Sequence, residues 1–208
     1  LRETLRDFDN WTVIEADALQ TDMRALIERE FGGGDVALCA NLPYYITTPL
    51  LLHLLESGAP IRSMTVMIQK EVAGRLCAAP ATPEYGAVTL AVQYYAKAQR
   101  RFDVAPGSFL PAPKVTSTVI TLTPWAEPPV RPADSRLFFS LIRAAFNQRR
   151  KTLCNALQNQ CGAQFDKTCV RKALQSCGFL ETVRGEALSL ADFARLSDAL
   201  TFTDKTKK

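Results

Sequence analysis

Four prolines fall within the nine residues PWAEPPVRP from Pro124 to Pro132. Proline fixes φ and donates no backbone N–H, so such a stretch continues neither a helix nor a central strand. It predicts a linker over residues 125–133 between two units, 1–124 and 134–208. The charge changes sign at the same place. Residues 1–130 carry 11 Lys and Arg against 14 Asp and Glu, whereas residues 131–208 carry 14 against 7. The net charge of +4 thus averages a slightly acidic first unit with a basic second one.

Upstream of the linker, short apolar runs alternate with helical patterns. Strands are expected over residues 11–16 (WTVIEA), 36–40, 64–69, 97–104 and 115–123. Helices are expected over 22–31, 49–56, 71–78 and 86–94, the second with Thr48 as N-cap and Pro49 at its first position. Alternation of this kind predicts an α/β fold: a mostly parallel sheet covered on both faces, with an antiparallel strand at its end. Downstream, apolar residues recur at three- and four-residue spacing over 135–146, 151–160, 166–177 and 189–200, punctuated by Gly162, Gly178 and Gly185. This is the pattern of a small all-helical domain. A lysine-rich tail, Lys205, Lys207 and Lys208, follows it.

A chain of 208 residues that is 47% hydrophobic and 22% charged has the composition of an ordinary globular protein, not of a disordered or fibrous one. No apolar run approaches the roughly 18–20 residues that span a bilayer. The expectation is a soluble cytoplasmic protein without a membrane segment. Six cysteines (Cys39, Cys77, Cys154, Cys161, Cys169, Cys177) are spaced without any CxxC, which favours buried free thiols over a structural zinc. His53, the one histidine, sits inside the apolar run LLLHLLE and reads as a packed helix residue, not as a ligand or base.

In open α/β sheets, ligands bind beyond the C-terminal ends of the strands. Asp17 follows the first expected strand, and Asn41-Leu42-Pro43-Tyr44 follows the second. This tetrapeptide suits the exocyclic amino group of a base: Asn41 offers a carbonyl acceptor, Pro43 fixes the turn and removes a competing N–H, and Tyr44 offers a flat face for stacking. The residues alone also admit, and by spacing favour, a turn into the following helix with Tyr44 as a core aromatic. Asp17 has a parallel alternative as the cap of the next helix, and Phe109 as a loop aromatic closing the edge of the core.

The Asn41–Tyr44 tetrapeptide, followed by Ile46-Thr47-Thr48-Pro49-Leu50, resembles the NLPY motif of the S-adenosylmethionine-dependent rRNA adenine N6,N6-dimethyltransferases. Four further stretches match that family in its order: Gln69-Lys70-Glu71-Val72, Tyr85-Gly86, Phe109 through Ser117 (FLPAPKVTS), and Ala145 through Leu153 (AFNQRRKTL). The last resembles the small-subunit branch more than the antibiotic-resistance branch. Tyr45 departs from the commoner Asn. The resemblance implies a Rossmann-like methyltransferase sheet, S-adenosylmethionine as cofactor, and dimethylation of adenines in small-subunit rRNA during ribosome assembly. It implies that Asn41 and a backbone carbonyl of the Leu42-Pro43 turn hold the adenine amino group, with Tyr44 and Phe109 stacking on the base. Asp17 would accept from the cofactor's adenine, with Ala18 beside it and Asn41 at the shared boundary. Arg143, Arg149, Arg150, Lys151, Arg171 and Lys172 would meet rRNA phosphates on the immature small subunit. No metal is expected, and the protein is expected to be a monomer.

Family members carry a glycine-rich strand-to-helix turn ahead of these motifs. Gly32-Gly33-Gly34 follows a helical pattern and precedes a strand, so it reads as a helix stop and not as that turn. With Leu1 in place of Met at the start, this leads to the expectation of a sheet lacking its first two βα units, inactive as it stands. The alternative expectation is a non-catalytic rRNA-binding or assembly factor that keeps the stacking and basic surfaces.

Overall fold

A computed structural model describes residues 3–161 and 165–205. Leu1, Gly162, Lys207 and Lys208 lie outside them. The order is α1 (Met23–Phe31), β1 (Val36–Asn41), α2 (Thr47–Glu56), β2 (Ile61–Gln69), α3 (Lys70–Leu76), α4 (Ala87–Tyr95), β3 (Ala96–Val104) and β4 (Ser117–Pro124). After residues 125–134, which form neither helix nor strand, come α5 (Ser135–Asn147), α6 (Leu153–Cys161), α7 (Lys167–Ser176) and α8 (Leu190–Lys205).

The sheet order is β1-β2-β4-β3. β1 pairs with β2 in parallel across the α2 crossover, while β4 runs antiparallel to both β2 and β3. Three strands therefore share one direction, as the alternation predicts. The antiparallel strand comes last in the chain, yet it is inserted between β2 and β3 and does not form the sheet's edge. This places its central Ile120 and Leu122, fully buried, beside Met64, Val66 and Ile68 of β2. Residues 125–134 are tethered at both ends: Trp125 donates its backbone N–H to the Tyr95 carbonyl and its indole to the Gln93 carbonyl, and Ala133 N–H donates to Asp198.

Two apolar cores meet at α4. Residues 88, 92 and 95 pack with the sheet, and residues 87, 90 and 94 pack with the helical unit, so the helical period splits one short helix between two cores. Tyr94 lies 5.7 Å from Phe138 and 5.1 Å from Phe139, ring centre to ring centre. Close approach is also needed where the short turn Gly185–Ala187 crosses α5: a Cβ on Gly185 would stand 2.6 Å from that of Ala145.

Several local expectations are corrected. Residues 11–16 form no strand, because none of the described residues offers them ladder hydrogen bonds; Val13 and Ile14 are exposed, and Trp11 donates its indole N–H to the Leu5 and Phe8 carbonyls. α2 begins one residue before the expected cap. Ile46 holds the cap position without a side-chain bond, Thr47 donates its hydroxyl to the Pro43 carbonyl, and Pro49 occupies the third position, where the missing N–H is still harmless. Cys39 is exposed on β1, while Cys154 and Cys169 are buried in the helical core. Gly32 at φ 62° closes α1 in the left-handed conformation, as a helix stop requires. Among the described residues, no helix is long and apolar enough to cross a membrane, and no three His, Cys, Asp or Glu gather as metal ligands.

Candidate nucleobase cleft

At the C-terminal end of β1, the turn that the sequence singles out forms one wall of a cleft. The Leu42 N–H continues the parallel ladder to the Met67 carbonyl at 3.2 Å, and the chain then turns away into α2. The Pro43 carbonyl closes that turn, accepting from Ile46 N–H at 3.2 Å and from Thr47 Oγ1 at 3.0 Å. By contrast, the Asn41 side chain and the Leu42 carbonyl take no hydrogen bond among the described residues. Two acceptors on consecutive residues, one of them on exposed Asn41, are thus left without a partner in the protein. Leu42 is buried beneath them and anchors the turn in the sheet core.

The loop between β3 and β4 supplies the other wall. Asn41, Leu42, Pro43 and Tyr44 line one cleft of about 310 Å³ together with Phe109, Pro111 and Pro113. Tyr44 is held by its hydroxyl, 2.8 Å from Ser117 Oγ at the start of β4, so one wall is fixed to the root of the other. Half-buried, it is neither a core plug nor free. The ring pairs in contact among the described residues are elsewhere, so Tyr44 and Phe109 line the cleft without stacking on each other. Ser117, Pro111 and Pro113 carry no motif-like chemistry of their own; only their position within FLPAPKVTS could have pointed to them.

An ionic brace fixes the loop's root. Asp103 accepts from Lys70 Nζ at 2.8 Å, from Thr118 Oγ1 at 2.8 Å and from Arg100 Nη2 at 2.9 Å, and Lys70 N–H donates to the Thr116 carbonyl at 3.0 Å. The bond from Lys70, then those from Thr118 and Arg100, hold the Asp103 carboxyl well below the usual carboxylate range. A depressed folded-state pKa makes the stabilisation fully present above the unfolded value of about 3.9 and lost as pH falls through the folded one. Asp103 should therefore remain ionised at pH values where an unfolded aspartate is protonated. A carboxyl-carbon NMR titration checks this, and an Asp103 midpoint at or above that of unfolded aspartate would contradict the brace.

The remaining expected site residues lie apart from this cleft. Asp17 caps its own turn, Oδ1 accepting from Leu19 N–H and Oδ2 from Gln20 Nε2, both at 2.9 Å. Ala18 and Leu19 pack on the edge of the sheet core. His53 ties this segment to α2, its Nε2 lying 3.2 Å from the Thr21 carbonyl, the packed role expected of it. Arg143 lines a separate cavity of about 660 Å³ between α2, α4 and α5. Arg150, Lys151 and Lys172 are exposed, and Arg171 pairs with Glu181 at 3.1 Å. Arg149 is different: its guanidinium donates to Glu186 Oε2 at 2.7 Å, to the Pro83 carbonyl at 2.6 Å and to the Thr82 carbonyl at 3.0 Å. The last two bonds join the helical unit to the α3–α4 loop.

A family model described as ribosomal RNA adenine dimethylase matches residues 1–200. A ribosomal RNA small subunit methyltransferase A from Lachnoclostridium phytofermentans is 45% identical over 199 residues, 96% of this chain and 69% of that protein. One from Streptococcus pneumoniae is 47% identical over 203 residues, 96% of this chain and 70% of that protein. A dimethyladenosine transferase from Plasmodium falciparum superposes with a TM-score of 0.75 at 25% identity, over 99% of this chain and 77% of that one. The 23S rRNA methyltransferase ErmE shares the fold, with a TM-score of 0.67 at 23% identity over 96% of this chain and 76% of its own.

Proposed function

We propose that this chain, which belongs to the ribosomal RNA adenine dimethylase family, receives an extruded adenine of small-subunit rRNA in the cleft between Asn41–Tyr44 and Phe109 and promotes methylation at N6. The convergence of the NLPY turn and Phe109 on one cleft carries this reading. S-adenosylmethionine is the cofactor of the family, and when bound it supplies a methyl group on a sulfonium centre.

The chain's own residues fit the adenine end of that cofactor. Asp17 is exposed and acceptor-only, each carboxylate oxygen has a lone pair beyond its one local bond, and Ala18 and Leu19 give an apolar wall beside it. Gly32–Gly34 is not part of the fit. A Cβ on Gly33 would stand 2.3 Å from Glu28 Oε2, so an acidic side chain covers that turn.

Adenine N6 is a weak nucleophile because its lone pair is delocalised into the ring. Asn41 Oδ1 and the Leu42 carbonyl, the two free acceptors, can take its two hydrogens and draw the nitrogen toward tetrahedral geometry. They also stabilise the positive charge that develops on nitrogen, since each presents the negative end of a carbonyl dipole to it. Tyr44 and Phe109 hold the base by stacking, and aromatic faces favour a cationic centre. No strong base is required in this arrangement.

Arg150, Lys151 and Lys172, which make no ion pair among the described residues, are offered to RNA phosphates, with Arg143 and Arg171 as further cations. Phosphate contacts position and do not specify. Three to five of them predict that log K falls with log salt with a slope of about −2 to −4. Filter binding of a small-subunit RNA fragment across salt concentrations measures this, and Arg150→Ala should make the slope shallower by about one. Transfer of labelled methyl to adenine N6 of that RNA tests the reaction itself; transfer to another base, or to adenine with Phe109→Ala unimpaired, would refute the proposed cleft.

A further inference from the structure

We propose that Leu110 is a wedge, entering the base stack of the RNA as the target adenine leaves it. The proposal rests on the reading of the cleft as the adenine site and adds a residue to it. Leu110 is 101% exposed, as free of contact as a side chain can be. Folding gains nothing from burial of this side chain.

Its position follows from its neighbour. Phe109 is extended, at φ −123° and ψ 151°, and consecutive side chains of an extended segment point to opposite sides. With Phe109 lining the cleft, Leu110 is sent outward at its lip. The other wall repeats the arrangement: Tyr45, 85% exposed, follows cleft-lining Tyr44. One exposed apolar residue is ordinary on a protein surface. Two large ones, each next in the chain to a cleft-lining aromatic on opposite walls, match what base extrusion needs, an apolar group to occupy the gap and a flat one beside it.

The loop presents this wedge already formed. Phe109 N–H donates to the Pro106 carbonyl at 3.2 Å, Pro106, Pro111 and Pro113 restrict the backbone, and the Asp103 brace holds the root. Little ordering remains to be done on binding. Exposed Lys114 in the same loop adds a cation suited to a phosphate, which favours nucleic acid over an apolar protein partner.

The test needs no methyl donor. A small-subunit RNA stem–loop carries 2-aminopurine next to the target adenine, where fluorescence rises when its stacking neighbour departs. The wild-type protein should raise the signal severalfold. Leu110→Ala should cut that rise by roughly half or more, with RNA affinity by anisotropy within about threefold, and Leu110→Met should restore it. The substituted position touches nothing in the fold, so loss of structure is not an issue. A full rise with Leu110→Ala overturns the wedge and leaves the adenine cleft standing. No rise with wild-type protein bound to the RNA overturns the cleft reading and the wedge with it.

Discussion

Replacing Asn41 by alanine is expected to lower methyl transfer by on the order of 10²–10³-fold, while affinity for small-subunit RNA stays within about twofold. The size follows from removing one of two acceptors that act on charge as it develops. The Asn41 side chain makes no hydrogen bond among the described residues, so truncating it leaves the β1–β2 ladder intact. Phosphate contacts lie on other elements, so binding should scarcely change. Asn41→Asp keeps the acceptor and removes the amide N–H₂, and should therefore retain more activity than Asn41→Ala. Single-turnover kinetics with enzyme in excess over RNA measures both. Equal losses in turnover and RNA affinity would mean that Asn41 shapes the turn and does not act on the amino group.

The cleft was legible in the sequence because its chemistry is concentrated in short contiguous motifs. Asn41 to Tyr44 and Phe109 line one cleft, and the apolar periodicity matches the four α-helices described after residue 134. What the sequence hid was set by long-range partners. Residues 11–16 have strand composition, yet a strand exists only where another backbone accepts its hydrogen bonds. The Thr47 hydroxyl turns back to Pro43, moving the helix start away from the Thr48-Pro49 pair that local preference selects. Asp103 looks like any exposed carboxylate until β3 and β4 bring Lys70, Arg100 and Thr118 around it. Charge counting likewise finds a basic unit but not which cations are already engaged, and Arg149 shows the consequence.

Arg149→Ala is expected to lower stability by about 2–4 kcal/mol, from its bonds to Glu186 and to the α3–α4 loop. Truncation leaves the Glu186 carboxylate, 29% exposed, without its cation, and the Thr82 and Pro83 carbonyls without their donor. Charged hydrogen bonds contribute about 1.5–3 kcal/mol each, and partial exposure of the pair reduces the sum. The loop depends on outside bonds: Ala81 sits at φ 64°, a conformation costly for a residue with a Cβ, and its N–H is held by the Glu186 carbonyl at 2.8 Å. Tyr85 closes the same junction, donating its hydroxyl to the Leu188 carbonyl at 2.8 Å, and burial pushes its pKa up. Lysine cannot reproduce a planar fork that reaches three acceptors, so Arg149→Lys should recover only a minor part of the loss. Urea unfolding gives the energy, and faster proteolysis at Thr82–Pro83 reports the opened loop. If stability were instead unchanged and the salt slope of RNA binding became shallower by about one, Arg149 would act as a phosphate contact like Arg150 beside it. The structure favours the first outcome, because a guanidinium with three internal acceptors would have to give up bonds within the protein to gain one with RNA.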